Sequence, residues 1–331
     1  MTKSQITNPK SQTNSKLQYS NSKLSLGQWN FGHWSFFGFW CLVLGILISG
    51  CQPEKPLHKE RRLGMGTFVD VLAENKKAAE IVFKEIGRIE ALLSKYYSES
   101  EVARLNEAGE LKVSDETFHV IKKAVEFWKA SGGAFDITVG PLMDLWGFTR
   151  GEFIVPSREQ IAEVLKRVGS NKIHLNETDN VIKFLNSGMK IDLGGIGKGY
   201  AVDCAVNKLK ESNIDSCLIN LGGTIYGIGK KRHKLWKVAV QNPDRPGIVD
   251  YLEVTNQCVA TSGDYEQGGH IMNPRTGSPA KAGLRSVTVI APDCLTADAL
   301  STAIFVLGKE KGEAMLKEFP GVQARLIGEK D

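Results

Sequence analysis

The sequence predicts an α+β fold, with mixed or antiparallel sheets and packed helices, for the body of a 331-residue chain. Two observations carry this. Helical and strand-like periodicities follow one another without the repeated strand–helix–strand unit of a doubly wound sheet. The composition, 42% hydrophobic and 24% charged, is that of a globular protein and excludes collagen, disorder throughout and a polytopic membrane protein. Arg62–Val71 contains Gly64-Met65-Gly66-Thr67 and then alternates like a strand. Lys76–Lys95 places Ile81, Val82, Ile86, Ile89, Leu92 and Leu93 at helical spacing. Asp115–Ala130 is a second helix, with Val120, Ile121, Ala124, Val125 and Trp128 on one face. Ser157–Val168 is a third, and Tyr200–Ser212 a fourth that opens just after a glycine cluster. Ser216–Leu221, Leu235–Val240, Tyr251–Val254 and Ser286–Ile290 read as strands, and Ala297–Leu307 as a late helix.

The N-terminal region differs from this body. Residues 1–35 are rich in Ser, Asn, Gln and Lys and too polar to build a core. An apolar run from Phe36 to Ile48 follows, the length of a signal-peptide core and short of a membrane-spanning helix. It ends in Ile48-Ser49-Gly50-Cys51, which resembles a lipobox with Cys51 as the lipidated residue. The alternative is an uncleaved anchor helix. Residues 1–50 thus read as a lipoprotein signal peptide with a long polar start, 51–61 as a tether, and 62–331 as the folded domain. Acyl chains on Cys51 would hold the protein to a lipid bilayer in the cell envelope.

The formal net charge is +5, and residues 1–50 hold four lysines (Lys3, Lys10, Lys16, Lys23) and no acid, which leaves the rest at +1. A nearly neutral body excludes a nucleic-acid partner, which requires a basic surface. With Cys41 in the leader and Cys51 lipidated, Cys204, Cys217, Cys258 and Cys294 remain. Their spacing fits no metal motif, and they read as buried free thiols.

Common catalytic motifs are absent. Gly194-Gly195-Ile196-Gly197-Lys198-Gly199 resembles a phosphate loop, but Gly199 follows the lysine where Ser or Thr belongs, and Asp192 replaces the first glycine. There is no GxSxG, because Ala260 precedes Thr261-Ser262-Gly263, and no HExxH. Six short clusters stand out. They are Met65-Gly66-Thr67; Leu93-Ser94-Lys95-Tyr96-Tyr97 with Leu105-Asn106; Gly133–Pro141 with Leu145-Trp146-Gly147-Phe148; Asp192–Asp203; Thr261–Gly277; and Thr296–Thr302.

Each cluster has a plain and a functional reading. The glycine cluster is a tight turn, or a cradle of free N–H groups and the Lys198 ammonium for a phosphate. Asp298 complements a helix N-terminus, or joins Thr302, four residues on and on the same face, in an oxygen-only site suited to Mg²⁺. His270 is structural or catalytic. Tyr96 and Tyr97 are packing aromatics, or one of them stacks on a planar ring.

In their order and over residues 62–310, the six clusters resemble the ApbE family, the FAD:protein FMN transferases. The resemblance implies a FAD site in a cleft between lobes and Mg²⁺-dependent transfer of the FMN half of FAD to a Thr or Ser hydroxyl, releasing AMP. It implies that Met65 and Tyr96 pack by the flavin and its chain. Ala134, Phe135 and Asp136 would line the nucleotide site, with Asp136 accepting a hydrogen bond. Asp192 and Lys198 would flank the dinucleotide, and His270 and Ile271 would contact it. The carbonyl of Gly195, the carboxylate of Asp298, the carbonyl of Ser301 and the hydroxyl of Thr302 would hold Mg²⁺. His270 is the candidate base and Asp298 the second catalytic residue. Acceptors would be exported or membrane flavoproteins with an FMN-binding domain, such as redox-complex subunits. The chain departs from the family pattern at Gly195, Thr224 and Ser278. The alternatives are a Mg²⁺-dependent FAD pyrophosphatase and a non-catalytic, membrane-tethered FAD-binding protein.

Overall fold

Backbone pairing rather than side-chain burial starts the fold. β1 (His58–Gly64) and β2 (Thr67–Ala73) pair antiparallel with Gly64 opposite Thr67. The single strand expected over Arg62–Val71 is therefore a hairpin. Met65 (φ 51°) and Gly66 (φ 73°) at its turn are both left-handed, as a two-residue hairpin requires. β1 is mostly polar and gives no burial signal, and residues 58–61, expected as part of a tether, lie in this strand. A computed structural model describes residues 56–149, 151–263 and 269–329. These belong to one compact unit, Lys55–Asp331. The expected signal peptide, residues 1–50, and Cys51 lie outside the described residues.

Helix signals in the sequence hold well where a cap accompanies the periodicity. α1 (Lys77–Leu93) buries Val82, Ile86, Ile89 and Leu93. α2 (Glu101–Ala108) is capped by Ser100 and closed by left-handed Gly109, and leads into β3 (Glu110–Lys112). α3 (Asp115–Ala130) opens on the Ser114 hydroxyl, which accepts the Thr117 N–H. α4 (Gly140–Leu145) starts with Pro141 in its first turn. α5 (Arg158–Leu165) has a full capping box between Ser157 and Gln160. β4 (Ile173–Asn176) and β5 (Val181–Phe184) follow, then α6 (Gly197–Glu211). Next come β6 (Cys217–Leu221), β7 (Thr224–Ile228), β8 (Trp236–Gln241), β9 (Ile248–Val254) and β10 (Gln257–Gly263). The short strands β11 (Met272–Asn273) and β12 (Ser278–Pro279) pair with each other. β13 (Leu284–Ala291), α7 (Cys294–Leu307), α8 (Lys309–Leu316) and β14 (Gln323–Gly328) complete the chain.

The main sheet runs β1-β2-β6-β7-β10-β13-β14, antiparallel at every pairing. One face carries helices: α1 packs on α6, α6 on α7, and α7 on β10 and β13. The core between them includes Val71, Ile86, Val202, Ile219, Ala260, Val287, Leu300 and Ile304. The β8–β9 ribbon packs a second cluster of Trp236, Val238, Val240, Leu252 and Val254 with Leu72, Leu218, Ile225 and Ile290 of the main sheet. Each such side chain, fully buried, contributes about 1.5–3 kcal/mol. β3, β5 and β4 make a small separate sheet. The fold is α+β with antiparallel sheets. Among the described residues no helix is long and apolar enough to cross a membrane. Cys204, Cys217, Cys258 and Cys294 are free thiols. Burial pushes Cys204 up to about 11 and Cys217 to about 12, so neither is a thiolate at neutral pH.

Candidate active site

α6 and α7 exchange caps. α6 opens at Gly197 on Ile196, which offers no side-chain cap. Its Gly199 N–H donates instead to Asp298 Oδ2 of α7 at 3.0 Å. In return Asp203 of α6 accepts the first N–H groups of α7, from Cys294 and Leu295, each at 2.8 Å. Each carboxylate thus faces the positive end of the neighbouring helix. Such close crossing requires glycine: a Cβ on Gly199 would lie 2.3 Å from the Cys294 carbonyl oxygen. Burial pushes Asp203 up to about 6, against the two N–H bonds that favour its charge.

This crossing gathers oxygen donors. The side chain of Asp298 is 5% exposed, and its Oδ1 lies 3.4 Å from Lys198 Nζ, which also donates to the Gly194 carbonyl at 2.8 Å. The Ser301 hydroxyl, fully buried, donates to the Asp298 carbonyl at 2.9 Å and bonds Ser262 Oγ at 2.8 Å. Ser262 Oγ is also 3.3 Å from Thr302 Oγ1. Gly195 abuts Thr302 and Phe135: a Cβ there would lie 3.2 Å from Thr302 Oγ1 and from Phe135 Cε2. Met65 reaches the same turn, its Cε 3.7 Å from where a Cβ on Gly197 would stand. The structure therefore brings Met65, Phe135, Gly195, Lys198, Asp298, Ser301 and Thr302 together. It adds Ser262, which the sequence offered only within Thr261-Ser262-Gly263.

A second group sits beside it. Asp192 Oδ2 pairs with Lys95 Nζ at 2.7 Å, and Oδ1 accepts the Gly194 N–H at 2.8 Å. Burial works against the Lys95 ammonium, but the Asp192 carboxylate outweighs it and holds Lys95 above the usual lysine value. Asn106 clamps the preceding residue, donating to the Ile191 carbonyl at 2.9 Å and accepting its N–H at 2.7 Å. Tyr96 is 64% exposed, with Lys95 Nζ 5.0 Å from its ring centroid.

The loop of Gly133, Ala134 and Phe135 is joined to the His270 segment through Arg275, whose guanidinium donates to the Gly132 carbonyl at 2.6 Å. Trp146 Nε1 donates to the Gly277 carbonyl at 2.8 Å and pins the end of that segment. His270 is half-buried, Ile271 is buried, and the Ile271 carbonyl accepts the Ala280 N–H. Asp136 is held by Thr138 and Ser170. Its carboxylate accepts the Thr138 N–H and hydroxyl at 2.8 and 2.6 Å and the Ser170 hydroxyl and N–H at 2.7 and 3.1 Å. Three of these bonds end on Oδ1 and one on Oδ2, and together they fix the loop behind Phe135.

A cleft of about 810 Å³ lies along another face of α6, by Tyr200, Asp203 and Asn207. A smaller one of about 360 Å³ opens by Lys95, Asn106 and Ile191. Size does not select the site; the converging donors do. Among the described residues no group of three or more His, Cys, Asp or Glu is placed to hold a metal ion.

The model of the ApbE family matches residues 65–326. A FAD:protein FMN transferase of Treponema pallidum is 32% identical over 89% of this chain and 91% of its own length. One from Haemophilus influenzae is 32% identical over 83% and 87%. The ApbE protein of Thermotoga maritima superposes with a TM-score of 0.75 at 35% identity, covering 82% of this chain and 94% of that structure. The flavin transferase ApbE of Vibrio cholerae gives 0.75 at 28%, covering 83% and 95%. A match through the crossing of α6 and α7, sustained over nearly the whole folded body, leaves one conclusion: this chain belongs to the ApbE family.

Proposed function

We propose that the protein transfers the FMN half of FAD to a Thr or Ser hydroxyl of an acceptor flavoprotein and releases AMP, with Mg²⁺ at the crossing of α6 and α7. The observation that carries the reading is the gathering of Asp298, Ser301, Thr302, Gly195 and Lys198 where α6 begins. Relatives named FAD:protein FMN transferase, aligned over most of this chain, support it.

The donor set suits Mg²⁺. It is oxygen only, with one mostly buried carboxylate, and a cation already stands at its edge: the Lys198 ammonium lies between the Gly194 carbonyl and Asp298. Asp298, Thr302 and the carbonyls of Gly195 and Ser301 would hold the ion, which would draw charge from the pyrophosphate oxygens. The chain's own residues do the rest. Met65, Tyr96, Ala134, Phe135 and Ile271 border the flavin and nucleotide, and Asp192 flanks the dinucleotide. Lys198 sets a fixed positive charge where negative charge develops. The acceptor oxygen bonds to the FMN phosphorus, the pyrophosphate P–O bond breaks, and its electron pair leaves with AMP. The hydroxyl proton passes to His270, an imidazole being able to accept a proton as general base.

The same residues with water in place of the acceptor give a FAD pyrophosphatase, and the fate of the flavin separates the two. Purified protein is incubated with FAD, Mg²⁺ and an FMN-binding acceptor domain, and AMP is followed. AMP release that depends on the acceptor supports transfer. Equal release without the acceptor, yielding free FMN, overturns it. The lipobox-like sequence at Cys51 supports a lipid-anchored location in the cell envelope, facing acceptors such as redox-complex subunits or exported flavoproteins.

A further inference from the structure

Lys95 has no part in the reaction above, yet it joins three segments. Its Nζ lies 2.7 Å from Asp192 Oδ2 before α6, 3.2 Å from Thr149 Oγ1 after α4, and 5.0 Å from the centroid of the Tyr96 ring after α1. The Lys95 and Asp192 side chains are only 12% and 15% exposed. Thr149 is held in turn: it bonds Asp144, whose Oδ2 accepts Lys190 Nζ at 2.7 Å. A compact ammonium with three donors suits such a junction.

We propose that Lys95 is a positioning residue for the dinucleotide: it neutralises Asp192 and fixes Tyr96 and the Gly194-Gly195 turn in one arrangement. The proposal rests on the reading of this site as a FAD site. Asp192 stands three residues before Gly195, in a site that must accept an anionic pyrophosphate. A carboxylate this secluded, left without its cation, repels that anion and releases the turn set by its bond to the Gly194 N–H. A purely structural ion pair between α1 and this loop would instead lower stability and leave FAD affinity intact.

The test compares the full-length wild type with Lys95→Met, Lys95→Gln and Lys95→Arg. Lys95→Gln keeps a donor toward Asp192 and Thr149 without the charge, and serves if Lys95→Met does not fold. FAD affinity is read by flavin fluorescence quenching without Mg²⁺, kcat and KM by AMP release, and stability by thermal unfolding. The neutral variants are expected to raise the FAD Kd and KM about tenfold or more while kcat changes far less. Lys95→Arg keeps the charge and returns most of the affinity. Neutral variants with wild-type Kd and KM overturn the proposal, as does a loss confined to thermal stability. A wild-type protein that neither binds FAD nor releases AMP overturns the flavin reading itself, and this proposal with it.

Discussion

Asp203 offers a quantitative test of the exchanged helix caps. Burial raises its pKa from 3.8 to about 6. The folded protein therefore binds this proton more tightly than the unfolded chain does. Its contribution to stability is full below the unfolded value of 3.8 and is lost as pH rises through about 6. A shift of this size corresponds to about 3 kcal/mol, of which about 2 kcal/mol falls between about pH 7 and about pH 4. Asp203→Asn keeps the shape and one oxygen for the Cys294 or Leu295 N–H, but cannot titrate. Urea unfolding of both proteins across this range gives the difference in stability, in which the contributions of distant groups cancel. The wild type is expected to gain about 2 kcal/mol on the variant as pH falls. Parallel curves would show that Asp203 is not a buried charge at the α7 N-terminus, and the account of the crossing would fail.

Three further outcomes follow from the same contacts. Asp298→Ala removes both the α6 cap and the only carboxylate of the niche; unfolding should cost about 1–2 kcal/mol less, whereas AMP release should fall at least about a hundredfold. Gly66→Ala and Gly199→Ala separate backbone strain from overlap: the first meets no atom within 4 Å and should cost about 1–2 kcal/mol from its left-handed φ alone, the second should cost about 3 kcal/mol or more from the overlap at Cys294. Thermal or urea unfolding checks both. Trp146→Phe leaves the Gly277 carbonyl without its donor, should destabilise by about 1–3 kcal/mol, and should raise KM through the loosened His270 segment.

What the sequence revealed tracked how local each signal was. Asp115–Ala130 was readable to the residue because the Ser114 cap and the apolar spacing agree. α6 and α7 begin three residues before their expected starts. Glycine at 197 and 199 resembled a turn, and the cap that starts α6 comes from Asp298, far along the chain. β7 and β10 were missed because residues on both of their faces are buried and few alternate with polar ones. β3, β4 and β5 have three or four residues each, too few for a period. At the site, residue types were legible in the clusters but partnerships were not. Lys95 with Asp192, Ser262 with Ser301, and Asp136 with Ser170 each join distant segments. Nothing local to Asp136 announces Ser170 as its partner.

The most direct measurement is the mass of the acceptor domain after incubation with FAD, Mg²⁺ and this protein, with fragmentation to locate the added group. The account predicts one FMN joined through its phosphate to a single Thr or Ser oxygen, AMP in equal amount, and neither product with Asp298→Ala. An unmodified acceptor beside free FMN and AMP, or labelling that persists in Asp298→Ala, would contradict it.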